Sequence, residues 1–207
     1  MDPSDAPHDE PPLLRNAEQW PHLLDLVGPA WLLVTIRARM SRDLLRRHTP
    51  EDVLQEALVH AWRDRARCQW QGVRAFRCWL LQIVDNRLRD LAEAAARHKR
   101  GGGVLPHSLP DEDALPPGTT TPGRIASWRE HAALMTRALE ELPHDLRDVV
   151  RLRLFEELEM PAVAAQLAIG LSAAKHRLRK GAEMFRRTLR NFLVASSASA
   201  DTEDRMP

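Results

Sequence analysis

Apolar positions recur along this chain at helical spacing, and no run alternates as a half-buried strand would. Val53, Leu54, Ala57, Leu58, Ala61 and Trp62 form a stripe along one side of a helix that opens at Thr49. Thr49 is a good N-cap, Pro50 suits the first helical position, and Glu51 and Asp52 answer the positive helix start. A preceding helix is predicted from Trp31 to about Arg46, with Pro29 in its first turn. A third runs from about Val73 to Arg97, with Phe76, Leu80, Ile83, Val84, Leu88 and Leu91 inward. The pattern resumes with an amphipathic helix from Ile125 to Leu142, ended by Pro143. Another follows from Asp145 to about Leu158, carrying Val149, Val150, Leu152 and Leu154. A short helix from Pro161 to Leu167 leads through Ala168-Ile169-Gly170-Leu171 to a long one from Ser172 to about Leu193. Short helix, tight turn and basic helix make a helix-turn-helix, whose second helix enters the major groove. The fold class is all-α.

Between the two helical blocks, residues 101–124 begin Gly101-Gly102-Gly103, hold Pro106, Pro110, Pro116, Pro117 and Pro122, and carry the acids Asp111-Glu112-Asp113. Such a stretch cannot build a core and reads as a flexible linker. Residues 1–12, acidic and Pro-rich, and residues 195–207, Ala/Ser-rich then charged, are expected to be disordered. The expected organisation is two small helical domains, 13–100 and 125–194, on a tether.

Composition places the chain among soluble globular proteins: 207 residues, 29% charged, 43% apolar, net charge +1. The net charge points to no partner, but its distribution does. From Ser172 to Leu193 there are seven basic residues against the single acid Glu183, whereas the first twelve residues hold four acids and no Lys or Arg. A basic end of this kind suits nucleic acid. Cys68 and Cys78 make no disulfide framework, the N-terminus lacks the apolar core of a signal peptide, and no apolar run is long enough to span a bilayer. A cytoplasmic location is expected.

Three candidate surfaces follow from the residues. The helix after Thr49 should expose Asp52, Gln55, Glu56 and His60, although Glu51 and Asp52 also serve the helix dipole. Trp70, Phe76 and Trp79 are interleaved with Arg67, Arg74, Arg77, Arg87 and Arg89. Aromatic faces stack on unpaired bases while arginines track phosphates; the competing reading buries Phe76 and Trp79 in the core. Arg97-His98-Lys99-Arg100 could meet phosphate or complement the helix C-terminus. On the long basic helix, Ser172, Ala173, Lys175, His176 and Arg179 are placed to face the groove, and Arg177, Lys180, Arg186 and Arg187 to touch phosphate. His60, Cys68 and Cys78 lack metal-ligand spacing. No phosphate loop, nucleophile elbow or paired-carboxylate site is visible, so neither enzyme nor cofactor is expected.

Glu51-Asp52-Val53-Leu54-Gln55-Glu56, Ala61-Trp62-Arg63, Phe76-Arg77-Cys78-Trp79-Leu80, Ile83 and Asn86 together resemble the helical promoter-binding domain of sigma-70-family initiation factors. The small extracytoplasmic-function (ECF) group, which has two domains, is the most similar. Ala138-Leu139-Glu140-Glu141-Leu142-Pro143, Arg147-Asp148-Val149-Val150 and the helix-turn-helix with Lys175, Arg177 and Leu178 agree with it. The likeness covers roughly residues 15–100 and 125–193.

The resemblance implies that Asp52, Gln55 and Glu56 dock on the clamp helices of the largest subunit of core RNA polymerase. It implies that Arg74, Arg77, Trp79, Asn86 and Arg87 capture the minus-ten element. Ser172, Lys175, His176, Arg177, Arg179 and Lys180 would then read the minus-thirty-five element. Promoter DNA, core polymerase and an anti-sigma factor are the implied partners, with no membrane insertion. The chain departs from the family in the first helix of the motif (Ala162-Val163-Ala164 in place of Glu-Ile-Ala), at the turn (Ala168 where glycine is usual) and at Ala174. Two rival readings stay open: a helix-turn-helix regulator that binds duplex operator without polymerase, and a sigma-like interaction module that has lost DNA binding.

Overall fold

The computed structural model describes residues 16–99 and 115–203. Among them the regular structure is helical: α1 (Trp20–Val27), α2 (Pro29–Arg39), α3 (Arg42–Leu45), α4 (Pro50–Asp64), α5 (Val73–Lys99), α6 (Pro122–Glu140), α7 (His144–Val150), a π-helical turn (Arg151–Phe155), α8 (Met160–Gln166) and α9 (Leu171–Glu203). The all-α class expected from periodicity is what is observed. The expected disorder of residues 1–12 and most of the linker lie outside the described residues.

Backbone contacts divide the described residues into two units, one of 16–29, 42–99 and 115–124, the other of 30–41 and 125–203. In the first, α4 and α5 pack along their apolar stripes, and Val53, Leu54, Ala57, Leu58, Phe76, Leu80, Val84, Leu88 and Leu91 are buried. The start of α4 is a capping box: Asp52 N–H donates to Thr49 Oγ1 (3.1 Å), and Thr49 N–H donates to Asp52 Oδ2 (3.0 Å). α1 is an element that the apolar pattern does not single out. Its signal is local, a proline at the helix start and Gly28 just past its end in the left-handed conformation (φ 77°). Its Trp20 is wholly buried, edge-on to Trp62 (5.3 Å) and to Phe76 (6.1 Å).

The helix expected from Trp31 to Arg46 is two helices, broken around Met40 and Ser41. Chain order places its first part, α2, in the leading block, yet residues 30–41 group with the second unit. Hydrogen bonding gives the reason. In the π-helical turn Glu156 N–H reaches back to the Arg151 carbonyl (3.1 Å). The carbonyls at its end, Leu154 and Phe155, lie beyond that ladder. They accept from Trp31 Nε1 (2.6 Å) and from the Thr35 hydroxyl (3.1 Å). Both side chains are buried, where an unmade polar bond costs most.

Two further differences concern segments expected to lack structure. Residues 115–121 form a turn in which Thr119 donates N–H and Oγ1 to the Pro116 carbonyl, and α6 then starts at Pro122. Arg124 is anchored on Asp25 (2.7 Å) and the Pro21 carbonyl (3.3 Å) of the first unit. At the other end α9 continues to Glu203, through a stretch expected to be disordered from residue 195. Alanine is the best helix former, and extending an existing helix avoids the cost of nucleation.

The second unit builds the helix-turn-helix around Val149, Leu152 and Val163, with Leu158, Leu167, Ile169 and Leu178 packed on them. α9 crosses α7 closely at Gly181, where a Cβ would lie 2.7 Å from Val150 Cγ2 and 3.2 Å from the Leu146 carbonyl oxygen. The turn after α8 is a Schellman motif: Ile169 N–H bonds to the Ala164 carbonyl (3.0 Å) and Ala168 N–H to that of Ala165 (3.2 Å). Ala168 therefore sits at φ 52°, a left-handed conformation that an L-residue with a Cβ adopts at a cost. Ala168→Gly is expected to stabilise this unit by about 1 kcal/mol, the relief of strain exceeding the entropy glycine adds to the unfolded chain. Calorimetry would read this as a Tm of this unit raised by roughly 4–8 °C; a lowered Tm would refute the strained turn.

Candidate nucleic-acid interface

The long basic helix α9 buries and exposes its residues in the phase that their spacing suggested. Ala174, Gly181 and Phe185 point into the core, which leaves Ser172, Ala173, Lys175, His176, Arg179 and Lys180 exposed on the opposite side of α9. Ala174, a departure from the family pattern, is fully buried, so a small residue there lets α9 seat on its unit. Arg177 differs from its neighbours. It is half-buried and paired with Asp145 of α7 (3.6 Å), so part of its charge is spent inside the unit. Arg179 lies within 3.3 Å of His176 Nδ1, a contact that groups the two on the exposed side. Further along, Arg186, Arg187 and Arg190 continue the basic side of α9.

On the first unit the structure decides between the two readings of the aromatic residues and sorts the arginines differently from the sequence expectation. Phe76 is core, 1% exposed. Trp79 and Trp70 are half-buried, stacked at a tilt against Phe76 (5.3 and 5.8 Å), and so keep accessible edges. Two of the predicted DNA-contacting arginines are engaged internally. Arg77 donates through Nε (2.9 Å) and Nη2 (2.6 Å) to the Val27 carbonyl, capping the end of α1. Arg87 donates through Nε to Glu56 Oε2. Arg74 and Asn86 are exposed on α5, and Arg89 joins Asn86 (3.1 Å). The exposed arginines of this helix are thus Arg74, Arg89 and, towards its end, Arg97, with the acids Asp85 and Asp90 also exposed.

The acidic helix is corrected at one position. Asp52 and His60 are exposed and Gln55 is half-buried, but Glu56 is buried, 8% exposed, and tied to Arg87. The expected exposed row of Asp52, Gln55 and Glu56 therefore loses its last member. Its location one turn from Asp52 reads as surface because the arginine that covers it is far away in the chain. Sequence reasoning also missed Trp20 and Arg65, whose guanidinium lies over the Trp62 ring (3.5 Å to its centre). Of the two cysteines, Cys78 is exposed, whereas burial pushes the Cys68 thiol pKa up. Among the described residues no three His, Cys, Asp or Glu side chains gather as metal ligands, and no helix is long and apolar enough to cross a membrane.

An exposed basic helix behind a tight turn is the arrangement that helix-turn-helix motifs present to nucleic acid. Residues 32–98 match the model of sigma-70 region 2. ECF RNA polymerase sigma factor SigE of Mycolicibacterium smegmatis is 28% identical over 152 residues, 73% of this chain and 54% of that protein. RNA polymerase sigma-H factor of Pseudomonas aeruginosa is 26% identical over 145 residues, 69% of this chain and 74% of that one. ECF RNA polymerase sigma-E factor of Escherichia coli is 26% identical over 160 residues, 73% of this chain and 82% of that one. The match thus spans about half the length of the first of these relatives and most of the other two. The matched model covers the first helical block, and these relatives carry the names of RNA polymerase sigma factors.

Proposed function

We propose that this protein is an alternative sigma factor: a non-enzymatic, cytoplasmic subunit that binds core RNA polymerase and directs it to promoters. One observation carries the reading furthest. A helical block that matches sigma-70 region 2 is followed in the same chain by a helix-turn-helix whose second helix exposes Ser172, Lys175, His176, Arg179 and Lys180. Base edges of the minus-thirty-five element are read by that side of α9, with Arg186 and Arg187 on phosphate. Arg74, Trp79 and Asn86 meet the minus-ten element, where Trp79 offers a stacking edge to an unpaired base. Asp52 and Gln55 face the polymerase, where charge complementarity sets partner choice and association rate. Each DNA grip alone is weak; once polymerase holds both, the second binds at the effective concentration of a tethered group.

Transcription in vitro with core polymerase and a randomised promoter library tests this. The expected result is enrichment of a two-part sequence that requires both the chain and core enzyme. Failure to bind core enzyme or to initiate anywhere would remove the assignment. Binding of duplex DNA with the same sequence preference in the absence of polymerase would instead favour an operator-binding regulator.

A further inference from the structure

Glu56 and Arg87 form an ion pair between α4 and α5 at a depth where neither side chain is well hydrated, 11% exposed for Glu56 and 17% for Arg87. Each stands beside a residue with an outward role. Glu56 follows Gln55 and lies one turn after Asp52, on the helix assigned to polymerase. Arg87 follows exposed Asn86, on the helix that carries Arg74 and Trp79. We propose that this pair positions the nucleic-acid side of α5 against the polymerase side of α4, making Glu56 and Arg87 positioning residues for promoter opening. The proposal rests on the reading of α4 as the polymerase-facing helix and α5 as the minus-ten helix.

The physical reason lies in what apolar contacts between these helices cannot do. Val53, Ala57, Leu58, Leu80, Val84 and Leu88 hold α4 and α5 together through apolar burial, which is non-directional. A charge-assisted hydrogen bond from Arg Nε to a carboxylate oxygen is directional and is strengthened where water is scarce. Against a hydrophobic alternative, a buried pair adds little net stability, and its best-attested use is to fix register. Register matters here because a helix displaced by one residue turns its side chains by about 100° and moves them by about 1.5 Å along the axis. Such a step would swing Trp79 and Asn86 away from the DNA while leaving Asp52 and Gln55 in place. Pairing also withdraws the Arg87 charge from the DNA-facing side.

The test uses the full chain with core polymerase and a duplex promoter retrieved by the unaltered protein from the randomised library. Core affinity is read by fluorescence anisotropy, and opening by permanganate reactivity of unpaired thymines. Glu56→Gln keeps the side-chain shape and removes the charge. It is expected to leave core affinity within about threefold and to lower opening about tenfold. Arg87→Gln should do the same, and the double variant should be no worse than either single one, because the two residues act as a unit. Unchanged opening in Glu56→Gln would overturn the proposal. So would a loss of opening and of core affinity by the same factor, the mark of simple destabilisation, or losses that multiply in the double variant. If the unaltered chain neither binds core enzyme nor opens a promoter, the sigma assignment itself fails, a result distinct from any of these.

Discussion

Replacing Lys175 and Arg179 together by alanine is expected to lower promoter-dependent initiation by roughly 30-fold to 10⁴-fold, since each contact to a base edge contributes about 1–3 kcal/mol and every 1.4 kcal/mol is tenfold. Both residues are exposed on α9, so the fold should stay within about 0.5 kcal/mol of the unaltered protein. The loss is therefore one of recognition. Run-off transcription measures it, and a salt titration of DNA binding separates its parts. If Lys175 and Arg179 read bases as proposed, their removal should relax sequence preference. If Arg186 and Arg187 lie on phosphate as proposed, their removal should instead weaken binding to all sequences and flatten the salt dependence. Arg177→Ala should behave differently from either, because that guanidinium is already paired with Asp145. Unchanged initiation in the Lys175, Arg179 double variant would remove α9 from the promoter and favour the interaction-module reading.

Glu56→Lys should unfold the first unit rather than merely detach it from polymerase. The substitution replaces a buried carboxylate with an ammonium facing Arg87, and breaking a buried pair costs about 3–5 kcal/mol even before that repulsion is added. Urea denaturation followed by tryptophan fluorescence is a direct readout, since Trp20, Trp62 and Trp70 lie in the same unit. An unshifted midpoint would mean that Glu56 is a surface residue after all. Asp52→Lys provides the contrast. It removes one half of the capping box at an expected cost of about 1 kcal/mol and leaves the unit folded, while reversing charge on the polymerase-facing side.

Glu56 shows where legibility in the sequence stops. The capping of α4, the stripes of α4 and α5, and the helix-turn-helix core of Val163, Ala164, Leu167, Ile169 and Leu178 can be read from residues a few positions apart. The turn at Ala168 is legible only as a departure, and the structure turns it into a strained Schellman cap. The candidate site is half legible. Exposure of Lys175, His176 and Arg179 follows from helical phase once Ala174 is known to face inward. The internal commitments of Arg77 and Arg87 do not follow from phase, because an arginine at the edge of an apolar stripe reads the same whether it faces phosphate or a neighbouring helix.

The division has a physical origin. Helix starts, stops and apolar faces are set by backbone preferences and by a period of 3.6 residues, so a window of a few turns contains everything needed to read them. Pairing partners are set by which elements meet. Arg87 finds Glu56 across 31 positions, Arg77 finds the Val27 carbonyl across 50, and Trp31 finds the Leu154 carbonyl across 123. The amino-acid pattern was enough for the helical class, the long basic helix behind its turn and the likeness to sigma-70 region 2. Which charges face outward, and that α2 closes the end of the π-helical turn, depended on tertiary contacts, since a buried polar group must take its partner from whatever packing brings within reach.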